Sequence, residues 1–205
     1  MKKFELTNEF ITNMFGTKLF RIRALVEFGD VEAGELGGYV EKESNLGHDD
    51  NARVYDNAWV YGDAQVSGDA LVYGNAWVYG DAQVSGDARV YGNAWVYDNA
   101  WVYGNAQVSG DARVCGDARV CGNGDYAYAH GFGSVNRTTT FFRLKDGGVG
   151  VRCGCFYGTL AQFRDKIRET HGETKKAQEY LMLADLMELR FEEDENEVGN
   201  RKYVE

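Results

Sequence analysis

Three histidines (His48, His130 and His171) and four cysteines (Cys115, Cys121, Cys153 and Cys155) are the side chains of this 205-residue chain best able to do acid–base, nucleophilic or metal chemistry. Their spacing limits what they can do together. The cysteines read C-x5-C and C-x-C, neither a usual zinc spacing nor a secreted disulfide framework, so reduced thiols are expected. The histidines are scattered, and an isolated imidazole is more often a loop or core residue than a general base. His48 and His130 stand as the two candidate bases. Gly131-Phe132-Gly133 and Gly147-Gly148-Val149-Gly150 are weak phosphate-loop signals that read better as turns. No catalytic residue, metal ligand or cofactor is assigned on this inventory.

The stronger signal is a regular array of aromatic side chains, and it rests on a repeat. Valine recurs every six residues from Val54 to Val120, with alanine four residues after each until Gly124 takes that place. In a rung such as Val72-Tyr73-Gly74-Asn75-Ala76-Trp77, Ala and the next Val lie two apart, so on a strand both point to one side and form the core. Gly followed by Asp or Asn separates the strands, and Asp replaces Gly at positions 56 and 98. All of these residue types tolerate positive φ. A composition of 26 Gly and no Pro fits a turn repeated many times in that conformation. Three bends close a triangle of 18 residues, so the run from Val54 makes four coils, each rising about 4.8 Å.

Residues flanking each Val must face outward, and the 18-residue coil assigns them to three walls. One wall carries Trp59 and Tyr61, Trp77 and Tyr79, Trp95 and Tyr97, then Arg113 and Cys115. The second carries Gln65, Ser67, Gln83 and Ser85 before Trp101 and Tyr103 appear on it. The third mixes Arg53, Tyr55, Leu71, Tyr73, Arg89 and Tyr91. Aromatic rings bury on the order of 150–250 Å² each, so six on one wall exceed the patch a monomer leaves open. Self-association, docking of the chain's own ends, or stacking of a base or sugar could cover it. Trp59, Tyr61, Trp77, Tyr79, Trp95, Tyr97, Trp101 and Tyr103 are therefore the candidate binding or oligomer interface, with a homo-oligomer such as a trimer expected.

Three segments follow from these patterns: an N-terminal β cap (1–47), the repeat (48–125) and a C-terminal module (126–205). In the cap, Lys18 to Phe28 reads as a strand covering the open first coil. Val40 and Leu46 resemble rung starts, but the step from Leu46 to Val54 is eight, which predicts a bulge at His48-Asp49-Asp50. After the repeat, Thr138 to Leu144 and Val149 to Phe156 read as a hairpin. Thr159 and Gln162 offer a capping box for a helix to His171, and a second helix spans Thr174 to Phe191 before the acidic run Glu192 to Glu197. The expected fold is mainly β, a three-sided parallel β-helix with a β cap and a ββαα module.

The rungs resemble the hexapeptide-repeat family, in which an aliphatic residue is followed four places later by a small one. That resemblance implies a left-handed coil, with a bactofilin-like right-handed helix as the alternative. LGGYVEKESNL running into NARVYDNAWVYGDA, and CGCFYGTLAQFRDKIRETHG near the end, are similar to segments of phage and prophage hexapeptide-repeat proteins. Hexapeptide acyltransferases and γ-type carbonic anhydrases share such a rod, but both use histidines, and none lies between Val54 and Val120.

The net charge of -10 argues against nucleic acid held through its phosphates and favours a basic partner. The opening MKKFELTNEF has no apolar stretch behind its lysines, and no run of about 18 apolar residues occurs, so a cytoplasmic, non-membrane protein is expected. With the phage resemblance, the leading expectation is a non-enzymatic accessory protein of an infected or lysogenic bacterium. It would inhibit antiviral defence by sequestering a nucleotide signal or occupying a host protein, in the latter case with acidic corners such as Asp63, Asp81 and Asp117 imitating DNA. The alternatives are a structural assembly protein and a hexapeptide acyltransferase.

Overall fold

The computed structural model describes residues 1–132 and 137–192. Gly133 and the acidic run from position 193 lie outside the described residues.

The repeat folds as a three-sided parallel β-helix. Twelve two-residue strands, from Arg53–Val54 to Arg119–Val120, form three parallel stacks of four. Val54, Val72, Val90 and Val108 line one wall, Val60, Val78, Val96 and Val114 the next, and Val66, Val84, Val102 and Val120 the third. Every valine and every alanine of these rungs is buried. A two-residue strand cannot stand alone, so each borrows its hydrogen bonds from the coil next door. Trp59 N–H donates to Ala76 O at 2.9 Å and Tyr61 N–H to Val78 O at 3.0 Å, and this pattern repeats along the rod.

The corners explain the glycines. Each tight turn opens with a residue at positive φ, such as Gly74 at 70°, and Asp56 and Asp98 take the same conformation at 56° and 58°. Positive φ at the first central position alone is the signature of a type II′ turn, which excludes proline there. Corners also bond coil to coil, with Asn75 N–H donating to Gly92 O at 2.8 Å. A methyl group on Gly68 would lie 2.8 Å from Gly86 N. Asp56 resolves this contact by accepting from Gly74 N–H through its carboxylate at 3.2 Å. Gly68→Ala is therefore expected to destabilise by about 1–2 kcal/mol or more, and Gly68→Asp by less. Urea unfolding midpoints measure both, and equal losses would show that the carboxylate contact contributes nothing.

The N-terminal cap comprises β1 (Phe4–Thr12), β2 (Lys18–Ala24) and β3 (Leu36–Val40). β1 and β2 pair antiparallel, as do β2 and β3, and β3 then joins the rod in parallel through Tyr39↔Trp59 and Val40↔Val60. Val40 is thus a rung, as is Leu46, which bridges to Val66. The strand expected over Lys18 to Phe28 ends at Ala24, and β1 is an additional strand. The extra residues before Val54 wrap the open end. Phe4 stacks on His48 at 4.4 Å, and Lys3 Nζ donates to Asp50 O at 2.6 Å and Ala52 O at 3.0 Å. Buried Asn45 gives its amide to Gly62 O and Ala64 O at 3.0 and 2.8 Å, meeting carbonyls that the missing preceding coil leaves unpaired.

The C-terminal module is wider than a hairpin. Tyr126–Phe132, Arg137–Arg143, Val149–Cys153 and Phe156–Thr159 form one antiparallel sheet. The helices follow as α1 (Leu160–His171), capped reciprocally by Thr159 and Gln162, and α2 (Lys175–Phe191), capped by Thr174. They bury Phe163, Ile167, Tyr180 and Ala184 against Phe141 and Val151. Phe142 and Tyr126 reach the other way into the rod's own core, and Arg113 N–H donates to Thr140 Oγ1 at 2.9 Å. Both ends of the rod are thereby covered. Among the described residues no helix is long and apolar enough to cross a membrane.

Candidate functional site

Register in the parallel stacks places outward side chains one coil apart directly above each other. Trp59, Trp77 and Trp95 stack with ring centroids 4.5 and 4.8 Å apart and planes within 7°. Tyr61, Tyr79 and Tyr97 do the same beside them at 5.0 and 4.9 Å. Arg113 closes the tryptophan column, its guanidinium 4.4 Å from the Trp95 ring, and Arg119 covers Trp101 on the neighbouring wall at 4.3 Å. Such stacks contribute about 0.5–1.5 kcal/mol per pair beyond burial, and the cation–π contacts add to them.

This geometry decides what the wall can bind. The ring faces within a column are turned toward one another, so only ring edges meet solvent. A base or sugar cannot stack on a face already covered by the next ring. The tryptophan column is instead a flat, stiff apolar strip.

The chain's own ends cover part of the wall. Leu19 and Tyr39 pack on Tyr61, with Ile11 alongside, leaving Tyr61 9% exposed. Tyr97, also 9% exposed, is hydrogen-bonded to buried Cys115 near Arg152 of the C-terminal sheet. Burial pushes the Tyr79 and Tyr97 hydroxyls far above the ordinary tyrosine range and the Cys115 thiol up to about 11. Trp59, Trp77, Trp95, Tyr79 and Tyr103 are half-buried. Trp101 is the most exposed of the eight, at 37%.

A third column had no place among those eight residues. Tyr55, Tyr73 and Tyr91 stack at 4.9 Å, with planes within 5°. The signal was present in their 18-residue spacing but was diluted by Arg53, Leu71 and Arg89 on the same wall.

The histidines do not converge. His48 lies in the cap with its ring on Phe4, and its Nδ1 accepts from Lys3 N–H at 3.2 Å, which puts the ring proton on Nε2. His130 Nδ1 lies 2.8 Å from Thr138 Oγ1 at the far end of the molecule. The Cys121 thiol donates to Asp125 Oδ2 at 3.0 Å, and none of the four cysteines is in a disulfide. A cavity of about 200 Å³ under the cap has mostly apolar walls, and of its charged lining residues Arg53, Asp30 and Glu35 the first two pair with each other.

Residues 64–80, 82–98, 94–110 and 106–124 match the model of the YdcK beta solenoid repeat. The rod is a β-solenoid repeat. The matched stretches begin at the Ala64 rung and end where Gly124 breaks the pattern, so they fall within the stacked coils. A search of curated proteins gives no match. In this solenoid the outward side chains are free to vary while Val and Ala fill the interior, so the aromatic columns distinguish its walls.

Proposed function

We propose that the protein is a non-enzymatic scaffold that binds through the tryptophan wall of its solenoid, with a second copy of itself or another protein as occupant. The observation that carries this reading is the Trp59–Trp77–Trp95 strip, whose edge-on rings suit a flat apolar protein surface better than a planar ligand. His48 stacks on Phe4 and accepts from the Lys3 backbone, contacts that support binding over acyl transfer as the reading. Capping of the rod by β1–β3 at one end and by the C-terminal sheet at the other favours a closed assembly over an open filament.

The wider reading is a phage accessory protein that inhibits a bacterial antiviral defence by occupying a host protein or sequestering a nucleotide signal. It is supported by the resemblance of the flanking segments to phage proteins and by the charge of -10.

Native mass spectrometry and light scattering of Trp77→Ala/Trp95→Ala test the interface. The solenoid core is untouched, so the circular dichroism spectrum should persist while an oligomer falls to monomer. An unchanged mass rejects self-association through this wall, and pull-down with the same variant then tests a different protein partner.

A further inference from the structure

The third aromatic column ends one ring short. After Tyr55, Tyr73 and Tyr91, the next coil carries Ser109 where a fourth ring would continue the stack. Tyr91 lines an open cleft of about 410 Å³ together with Ser109 and with Tyr126 and Tyr128 of the C-terminal sheet, and Tyr126 is hydrogen-bonded to Ser109. That volume falls within the roughly 300–1,000 Å³ typical of small-molecule sites.

The polar groups around the cleft are of two kinds. Gln107 and Asn123 supply amides, and Asn123 Oδ1 is already fixed by accepting from Gln107 N–H at 2.9 Å, which leaves the Asn123 amide nitrogen as donor. Arg190 of α2 also lines the cleft, and Arg89 stands beside Gln107 in register on the same wall. Arg190 Nη2 donates to Asn123 O at 3.4 Å, which holds the guanidinium at the edge of the cleft. A guanidinium beside an aromatic ring and two side-chain amides suits a ligand both planar and anionic.

We propose that this cleft is a nucleotide site, in which the base stacks on Tyr91 above Ser109 as the fourth ring of the column. Gln107 and Asn123 meet the polar edge of the base, and the phosphate faces Arg190 and Arg89. The site gives the nucleotide branch of the proposed function a location and is separate from the tryptophan wall.

Calorimetric titration of the full chain with 5′-AMP and with adenosine tests it. Saturable AMP binding is expected with a dissociation constant between about 1 μM and 1 mM, and adenosine, lacking the anion, should bind about tenfold more weakly. Tyr91→Ala should weaken AMP by roughly five- to a hundredfold, the range base–aromatic stacking commands. Ser109→Tyr puts a fourth ring in the column in exchange for the Ser109–Tyr126 hydrogen bond and should abolish binding with an unchanged circular dichroism spectrum. Arg190→Ala, on an exposed helix surface, should weaken AMP while leaving adenosine unchanged, and it serves even if Ser109→Tyr fails to fold. Absence of saturable AMP binding overturns the proposal, as does full affinity in a folded Ser109→Tyr protein. Trp77→Ala/Trp95→Ala should bind AMP normally. Loss of AMP there would transfer the site to the tryptophan wall, whereas loss of oligomerisation alone bears only on the scaffold reading.

Discussion

Val78→Asp is expected to unfold the solenoid. Val78 is fully buried between Val60 and Val96, its partners one coil away on either side. The surrounding interior contains only valine and alanine side chains, so a carboxylate there finds no donor. An unpaired buried charge costs on the order of 5 kcal/mol, against a total stability of about 5–15 kcal/mol for a whole domain. Coils touch only their neighbours, so the damage cannot be spread over the molecule. Gln83→Asp, five residues on and facing solvent, should change stability by less than about 0.5 kcal/mol. Circular dichroism and urea denaturation measure both. A native spectrum and unchanged midpoint for Val78→Asp would falsify the inward placement of that valine.

The second large effect is alkaline unfolding. Burial raises the pKa of Tyr61, Tyr79 and Tyr97 above the ordinary value of 10.0. The folded protein therefore keeps these phenols neutral at pH values where the unfolded chain ionises them. Their contribution to stability is fully present below about pH 10 and is lost as pH rises through the folded-state values. Each group that stays protonated removes about 1.4 kcal/mol per pH unit beyond that point. Lys3 acts in the opposite sense. Desolvation lowers its pKa to about 8 from 10.5, so the cost of burying its charge is present below pH 8 and is relieved as pH climbs toward 10.5. Stability should thus rise gently from pH 8, pass a maximum near pH 10, then collapse. Urea midpoints across that range, with tyrosinate absorbance recorded alongside, test the profile. Tyrosines that titrate near 10 in a protein still folded would contradict the burial of the column.

Much of this architecture was legible in the sequence because the period never slips. Val54 to Val120 and their alanines name the core, and the Asp residues at 56 and 98 reveal the backbone conformation that glycine elsewhere conceals. The capping box of Thr159 and Gln162 was legible for the same local reason, whereas Thr174, read as the first residue of the second helix, is its cap. β1 was not, because its side chains are mostly outside the core and it is held by backbone pairing with β2, which leaves little apolar alternation to read. Tyr126–Phe132 was hidden by its alanines and by a shift of register between Ala129 and Phe132. The walls were readable to the level of which ring lies above which. Ring orientation was not, because it depends on side-chain torsions, and the burial of Tyr61 and Tyr97 depends on docking by segments far away in the chain.

The identical corners have one more consequence, which concerns how such a gene can change length. Adding or removing 18 residues inserts or deletes a whole storey and leaves every later side chain on its own wall. A change of six residues keeps the interior equally well filled, yet it turns everything downstream by one third of a revolution. Trp101-Val102-Tyr103 repeats Trp95-Val96-Tyr97 six residues later, and its rings accordingly stand on the adjacent wall. Slippage by one hexad is thus almost silent for folding and drastic for recognition, so the surface of this solenoid can be rewritten without its interior registering the edit.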